Sequence, residues 1–368
     1  GLEPALAAEL RTLGATGIRE LKRAVAFDGD TRMLYRANYE LRTALRVLVP
    51  VHSFPAYNER SLYAGIREID WSEFMRVDDT LAVDAVTQGE VFRHSQYAGL
   101  LTKDAIVDQF RDRYNRRPSV NTAAPTLLVN VHINGTRCDV SIDASGDSLH
   151  KRGYRRDTVE APLNEVLAAG MLLLSEWNGR GAFVDPMCGS GTLPVEAAMI
   201  ATHTPPQHKR AGFGFFRWVN FERKLWEQVK KEAEAKIQPF EFPILASDKD
   251  SRARNATSIN VMSAGLEEVI RVEKMPFEKL LPPVETGTLI TNPPYDERLK
   301  IEDIAAFYQS IGDRLKQAWS GWDAWLISSN RDALKSVGLR PSRRITLFNG
   351  PLECSFQKFD LYEGTRRS

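Results

Sequence analysis

The sequence has few cysteines and histidines, and neither type is clustered. Its three cysteines (Cys138, Cys188 and Cys354) are widely separated, without a CxxC pair or a Cys/His pair at metal-ligand spacing. This argues against a disulfide framework and a zinc site, and it predicts reduced thiols in a cytoplasmic protein. The six histidines have no ligand spacing either, so no metal is expected.

Long apolar runs and a strong net charge are also missing. No apolar stretch approaches the roughly 20 residues that a membrane-spanning helix requires, so no membrane partner is expected. The formal net charge of +1 does not by itself indicate a nucleic-acid partner. With 43% hydrophobic and 26% charged residues, the 368-residue chain is typical of a globular protein with two or three domains.

The chain from about residue 180 onward alternates short apolar runs with longer helical patterns. The runs lie at residues 182–184, 242–246, 269–272, 288–290 and 324–327. Such alternation predicts a doubly wound α/β domain with a parallel sheet. Near the end, Asn349-Gly350 joins two strand-like segments through a connection too short for a parallel crossover. The sheet should therefore finish in an antiparallel hairpin.

The first 155 residues show a different pattern. Helices are predicted at about 2–13, 31–40 and 95–114, with strand-like pieces between them. Residues 129–133 alternate apolar and polar side chains, as in a half-exposed antiparallel strand, and Asn134-Gly135 then predicts a hairpin. This half is predicted to be α+β. The segment 203–220, which contains Phe213, Phe215, Phe216 and Trp218, is predicted to be a packed insertion, with a loop facing the substrate as the alternative.

A turn with two glycines follows the first strand of the α/β half. It reads Asp185-Pro186-Met187-Cys188-Gly189-Ser190-Gly191-Thr192. Glycines let the backbone approach a cofactor at the carboxyl edge of a sheet, although a simple tight turn would also use them. A dinucleotide site would need a small residue in place of Pro194, and a P-loop would need a lysine after Gly191. Because Asp185 would repel phosphate, a cationic ligand such as S-adenosylmethionine fits better.

Polar residues also mark two later strand ends. The second strand ends in Ser247-Asp248-Lys249-Asp250, where an acid can accept both ribose hydroxyls of an adenosine. Asp248 could instead cap the following helix, in competition with Asp250 or Ser251. The fourth strand runs into Asn292-Pro293-Pro294-Tyr295, a loop whose backbone is stiffened by its prolines.

The segments DPMCGSGT, SDKD and TNPPY, in that order on strand ends, resemble the class I S-adenosylmethionine-dependent methyltransferases. Asn-Pro-Pro-Tyr resembles the variant that methylates exocyclic amino nitrogens of adenine, cytosine or guanine. The resemblance implies that Asp185, Pro186 and the loop Cys188–Thr192 hold the methionine end of the cofactor. It assigns Asp248 to the ribose and the loop Asn292–Tyr295 to the target base. Met275 stands where relatives often carry an acid that contacts the adenine, and Phe277 is predicted to pack there.

Upstream, FRHSQYAGLLTKDAIVDQF (92–110) and VNVHINGTRCDVSIDASGDSLHKRGYR (129–155) resemble a THUMP domain, an RNA-binding module. Nearly the whole chain resembles bacterial THUMP methyltransferases, above all the RlmL-like 23S rRNA guanine-N2 enzymes with a single methyltransferase domain. The predicted domains are a ferredoxin-like segment (1–45), a THUMP domain (46–155) and a methyltransferase domain (156–368).

Basic residues of the THUMP-like region and the domain boundary are predicted to bind RNA, although such clusters are more often solvated faces. The predicted set is Arg93, Lys103, Arg116, Arg117, Lys151, Arg152, Arg155 and Arg156.

The sequence thus predicts methyl transfer from S-adenosylmethionine to an exocyclic amine of RNA, most specifically guanine N2 of 23S rRNA. The Asn292 side chain and the Pro293 carbonyl would accept the amine hydrogens and direct the nitrogen lone pair at the methyl group. Tyr295 would stack on the base. The alternatives are a DNA adenine-N6 or cytosine-N4 methyltransferase, a catalytically inactive RNA-binding assembly factor, and an NAD-dependent enzyme.

Overall fold

The computed structural model describes residues 1–159, 162–294 and 304–362. The chain divides into two compact units, and each is made from segments that are distant in sequence. The first comprises residues 1–44, 150–210 and 229–368, and the second comprises residues 45–149 and 211–228. Within the described ranges, no helix is long and apolar enough to cross a membrane.

The N-terminal segment of the first unit is a helix, a hairpin and a second helix. Its elements are α1 (Glu3–Leu13), β1 (Thr16–Leu21), β2 (Ala24–Asp28) and α2 (Thr31–Glu40). Gly14 ends α1 with φ of 84°, a conformation that glycine adopts without steric cost. Asp30 caps α2 by accepting a hydrogen bond from Met33 N at 2.8 Å. Both helices lie close to where the sequence predicts them.

The second unit is α+β, as predicted. Its elements are β3 (Leu48–Pro55), α3 (Glu59–Arg67), β4 (Thr80–Gln88), α4 (Ser95–Tyr114), β5 (Ser119–Val120), β6 (Leu127–Asn134) and β7 (Arg137–Asp143). The sheet order is β3-β7-β6-β4-β5. Along β6, buried residues alternate with partly exposed ones, and the predicted hairpin joins it to β7. On its other side β6 pairs with β4 in parallel, which its sequence does not reveal.

Aromatic side chains of the 211–228 segment pack on one another within the second unit. Phe213 and Phe215 are buried and stack at a centroid distance of 5.2 Å, and Trp226 packs edge-on against both. Phe215 N also donates a hydrogen bond to Ala144 O at 3.0 Å. These contacts confirm that the aromatic insertion is packed.

The first unit contains a seven-stranded sheet. Its strands are β8 (Ala182–Asp185), β9 (Ile244–Asp248), β10 (Ile270–Lys274), β11 (Gly287–Thr291), β12 (Trp322–Ser328), β13 (Arg343–Asn349) and β14 (Leu352–Asp360). They lie in the order β10-β9-β8-β11-β12-β14-β13. The first five are parallel, whereas β14 pairs antiparallel with both β12 and β13. The predicted parallel sheet with a terminal antiparallel hairpin is confirmed.

Both faces of this sheet are covered by helices. These are α5 (Glu165–Leu174), α6 (Thr192–Ala201), α8 (Ser251–Ala264), α9 (Ile304–Ala318) and α10 (Arg331–Ser336); α7 (Arg223–Glu234) divides between the two units. Successive residues of β8 point to opposite faces, so Phe183 joins one apolar core and Val184 the other. Burial on both faces explains why the inner strands β8, β9 and β12 are nearly continuous apolar runs.

Candidate active site

The three strand ends that carry the predicted polar residues lie at one edge of the seven-stranded sheet. β8 lies between β9 and β11, so the strand order reverses beside it. Parallel α/β sheets bind ligands in the crevice at such a switch point. Asp185 ends β8, Asp248 ends β9, and Thr291 ends β11 immediately before Asn292. The strand-end residues predicted from separate motifs are therefore neighbours.

The glycine loop after β8 is held by backbone contacts to β9. Cys188 N donates to Ser247 O at 3.0 Å, and Gly189 N donates to Asp248 Oδ2 at 3.0 Å. Gly191 has φ of 81°, and a Cβ on it would lie 2.7 Å from Thr257 Cγ2 of α8. Its conformation and its close approach to α8 both require glycine.

Asp185 is a buried acid whose partners within the described chain are all neutral. Its Oδ1 accepts hydrogen bonds from Thr291 Oγ1 at 2.7 Å and from Met187 N at 3.2 Å. The pKa of Asp185 is raised to about 7, mainly by burial and also by the nearby Asp248, while the two hydrogen bonds oppose the rise. A buried carboxyl group without a cationic partner is suited to a cationic ligand.

Asp248 bridges the glycine loop and the start of α8. Its Oδ1 accepts from Asp250 N at 2.9 Å while its Oδ2 accepts from Gly189 N. The helix cap is Asp250, which accepts from Arg252 N at 3.1 Å, so Asp248 does not serve as the cap. Burial raises the pKa of Asp248 as well. Its position beside the loop suits contact with a ligand's hydroxyl groups.

Met275 and Phe277 follow β10 beside this acid. Met275 N donates to Asp248 O at 3.0 Å, and Ser247 Oγ donates to Met275 O at 2.7 Å. Both side chains pack in the apolar core on one face of the sheet. The ring centroids of Phe277 and Trp319 are 5.9 Å apart. The backbone of Met275 thus lies at the site, and contact of Met275 and Phe277 with adenine stays a prediction.

Asn292 presents an unused acceptor at the same edge. Its Oδ1 is buried and accepts no hydrogen bond within the described part of the chain. Pro293 is buried and Pro294 partly so, which fixes the loop on which this oxygen stands. The predicted stacking residue, Tyr295, lies outside the described residues. A buried acceptor without a donor from the described chain is available to a hydrogen-bond donor of a ligand.

The sequence motifs do not reveal the residues that connect these parts. Thr291 joins the Asn292 loop to Asp185, while Thr257 Oγ1 donates to Gly189 O at 2.9 Å. Both are completely buried. Thr291 could have been noticed because it directly precedes Asn292, but Thr257 stands in an ordinary helical pattern.

Four of the predicted RNA-binding cations lie in the second unit. Arg93 and Arg117 are exposed; Arg116 forms an exposed ion pair with Asp78, and Lys103 pairs with Asp104. Surface pairs of this kind are worth about 0–1 kcal/mol, so a phosphate can compete for the cation. Their contact with RNA stays a prediction.

The basic cluster at 151–156 has a different environment from the one predicted. Arg152 is 1% exposed, and its Nε donates to Glu196 Oε1 at 3.2 Å. Arg155 is bound by Glu165 at 2.8 Å and reaches the glycine loop. Their positive charges are committed inside the first unit, so we withdraw Arg152 and Arg155 from the RNA-binding set. Lys151 and Arg156 are exposed and remain in it.

The sheet order, the terminal hairpin and the polar switch point define a class I methyltransferase fold. Comparison with family models agrees. Residues 152–358 match the RMKL-like methyltransferase domain, residues 56–143 match the THUMP domain, and residues 1–48 match the RlmL ferredoxin-like domain. The chain belongs to the RMKL-like methyltransferase family, in its THUMP-containing form, and the predicted family is confirmed.

Two relatives illustrate the range of lengths in this family. A ribosomal RNA large subunit methyltransferase K/L of Syntrophotalea carbinolica is 39% identical over 99% of this chain. The chain spans only 53% of that relative's length. A protein of Synechocystis sp. named as an RNA methyltransferase, slr0064, is also 39% identical and is matched over 95% of its length and 98% of this chain.

Solved structures share the fold over almost the entire chain. The methyltransferase SMU.472, crystallised with S-adenosylhomocysteine, is 28% identical with a TM-score of 0.89, covering 99% of this chain and 97% of its own. A Listeria monocytogenes protein titled an N6-adenine-specific DNA methylase is 28% identical with a TM-score of 0.88, covering 98% and 94%. The name of the first neighbour specifies no substrate, whereas the name of the second specifies adenine in DNA.

Proposed function

We propose that this protein transfers a methyl group from S-adenosylmethionine to guanine N2 of 23S ribosomal RNA. The single observation that carries amine methylation is the buried Oδ1 of Asn292 at the switch point of the sheet, which has no hydrogen-bond partner in the described part of the chain. The THUMP domain and the two relatives named for RNA methylation support RNA as the substrate. The choice of guanine N2 rests on the resemblance to the K/L type. An rRNA substrate would place the protein in the cytoplasm.

The residues at the switch point fit S-adenosylmethionine. Asp185 offers a buried carboxyl to the cofactor's ammonium, and no described lysine, arginine or histidine competes for it. Asp248 stands at the end of the neighbouring strand, where an acid can hold ribose hydroxyls. The cofactor supplies an activated methyl group on a sulfonium, so no covalent enzyme intermediate is required.

Asn292 and Pro293 would prepare the nucleophile. The lone pair of an exocyclic amine is delocalised into the purine ring, which makes the nitrogen a poor nucleophile. Acceptance of its two hydrogens by Asn292 Oδ1 and the Pro293 carbonyl favours a pyramidal nitrogen with its lone pair directed at the methyl group. Because the prolines fix the loop before the base binds, little entropy is lost on binding. The amine gives its proton to water after transfer.

The substrate is tested by tritium transfer. Purified protein and tritiated S-adenosylmethionine are incubated, in parallel reactions, with 23S rRNA and with genomic DNA from cells lacking the gene, and each nucleic acid is digested to nucleosides. Label in N2-methylguanosine is expected. Label in N6-methyladenosine would overturn the base assignment, and label in DNA alone would favour the DNA methyltransferase. Cofactor binding without transfer to either nucleic acid would favour the inactive assembly factor.

A further inference from the structure

Arg155 binds the glycine loop directly. Its Nη1 donates to Ser190 Oγ at 2.9 Å and its Nη2 donates to Thr192 Oγ1 at 2.8 Å. Its Nε donates to Glu165 Oε1 at 2.8 Å, and this carboxylate balances the positive charge of the guanidinium. The guanidinium thus joins two hydroxyl groups of the loop to a carboxylate in the first turn of α5. Hydrogen bonds from a charged donor are roughly twice as strong as neutral ones.

Asn260 of α8 fastens the backbone that follows Arg155 to the same loop. Its Oδ1 accepts from Arg156 N at 2.7 Å and from Asp157 N at 3.1 Å. Its Nδ2 donates to Asp157 O at 2.8 Å and to Ser190 O at 2.9 Å. The side chain is fully buried and uses both acceptor positions and both donor hydrogens. This arrangement leaves segment 155–157 little freedom relative to Ser190.

The segment that follows Arg155 also contacts the glycine loop through Val159. A Cβ added to Gly189 would be 3.4 Å from Val159 Cγ2, so the Val159 side chain reaches the first glycine of the loop. Residues 155–159, which we term the strap, therefore contact the loop at Gly189, Ser190 and Thr192. A glycine-rich loop has many accessible conformations, and each contact reduces the number that compete with the binding conformation.

We infer that the strap is a structural part of the cofactor site and that Arg155 is its positioning residue. Arg155 holds Ser190 and Thr192 in the conformation that receives the cofactor's methionine end. The Arg155 side chain is 21% exposed, and each of its three nitrogens donates to a protein oxygen. Arg155 is therefore poorly placed to bind an RNA phosphate. This inference rests on the proposed use of S-adenosylmethionine.

The test measures S-adenosylmethionine affinity by calorimetry in the absence of RNA. Arg155→Gln removes the charged donors, and we expect the dissociation constant to rise about tenfold or more. Arg155→Lys, which keeps the charge and one donor at a time, should give an intermediate value. Arg254→Gln is the matched control, because Arg254 is an exposed arginine on α8 whose side chain, among the described residues, bonds only the adjacent Asn255. It should leave the affinity unchanged.

A double-mutant cycle with Ser190→Ala shows whether Arg155 acts through the loop. If it does, Arg155→Gln should have a smaller effect in the Ser190→Ala background than in the wild type. Additive effects would overturn the inference. So would an unchanged cofactor affinity in Arg155→Gln with weakened RNA binding, which would restore Arg155 to the RNA-binding set. Should Arg155→Gln fold poorly, Arg155→Lys and the cycle built on it give the same decision. A wild-type protein that does not bind S-adenosylmethionine would instead refute the proposed cofactor.

Discussion

Substitution of Asn292 by alanine separates the catalytic from the structural role of this side chain. In the proposed reaction, Asn292 Oδ1 accepts a hydrogen from the substrate amine as charge develops on nitrogen. Removing one preorganised polar group from a transition state commonly lowers kcat by a factor of about 10²–10³. We expect kcat/KM for RNA to fall about a hundredfold, which corresponds to about 2.7 kcal/mol at the transition state.

The stability of the Asn292→Ala variant should change in the opposite sense from most buried polar deletions. Oδ1 accepts no hydrogen bond from the described chain, so its removal forfeits none. Leaving a buried polar group unpaired costs about 1–3 kcal/mol, and the variant escapes this cost. The free energy of unfolding should therefore be unchanged or slightly higher, as measured by urea denaturation. Affinity for S-adenosylmethionine should also persist, because Asp185 and Asp248 are untouched.

Asn330→Ala is the matched control, because this asparagine has an internal partner for its oxygen. Asn330 Oδ1 caps α10 by accepting from Ala333 N at 2.9 Å. Its loss should lower the free energy of unfolding by about 1 kcal/mol with little change in methyl transfer. The reasoning about Asn292 is refuted if its alanine variant methylates RNA at the wild-type rate. It is also refuted if that variant loses more than about 2 kcal/mol of stability, since Oδ1 would then have a structural partner.

Three further outcomes follow from the site. The pKa of Asp185, about 7, lies above the 3.8 of an ordinary aspartate, so the carboxyl's contribution to the stability of the ligand-free protein is present below pH 3.8 and lost as the pH rises through 7. A cationic ligand needs the ionised carboxylate, so the affinity for S-adenosylmethionine should fall as the pH drops through 7. Calorimetry on Asp185→Asn should show that this pH dependence is abolished. Gly191→Ala should weaken cofactor binding at least tenfold because of its positive φ and the 2.7 Å approach to Thr257, and retention of affinity would show that the loop tolerates another shape. Glu196→Gln should lower the free energy of unfolding by about 3–5 kcal/mol in a denaturant titration, because it leaves the buried guanidinium of Arg152 without its carboxylate, and a loss below about 1 kcal/mol would contradict that pairing.

The sheet and its polar edge could be predicted because their signals are local. Continuous apolar runs identify strands buried on both faces, and the short Asn349-Gly350 connection requires an antiparallel pair. Asp185, Asp248 and Asn292 each end or directly follow a strand, and the ends of parallel strands share one edge. Position along the strand was therefore enough to bring these three residues together.

The basic cluster at 151–156 shows where the same reasoning failed. In sequence, Arg152, Arg155 and Arg156 are equivalent cations beside a tyrosine. In the structure, Arg152 pairs with Glu196 and Arg155 with Glu165, whereas Arg156 stays exposed. A buried arginine needs a partner for its charge. The partner of Arg152 is Glu196, which lies 44 residues away inside an apolar helix pattern. Composition alone could not distinguish the three residues.

The contacts that join the separate parts of the site explain why single motifs were ambiguous. Thr291 bonds to Asp185 across 106 residues, Asn260 bonds to Ser190 across 70, and Arg155 bonds to Thr192 across 37. Each of these residues has an ordinary local role as a strand end, a helix residue or a basic linker residue. Their contribution exists only once the sheet has formed, because the fold sets both the distance and the burial that make each hydrogen bond effective. Asp185, which we propose to hold the ammonium of the cofactor, and the Asn292 loop, which we propose to hold the base, are consequently joined in one hydrogen-bonded structure through Thr291.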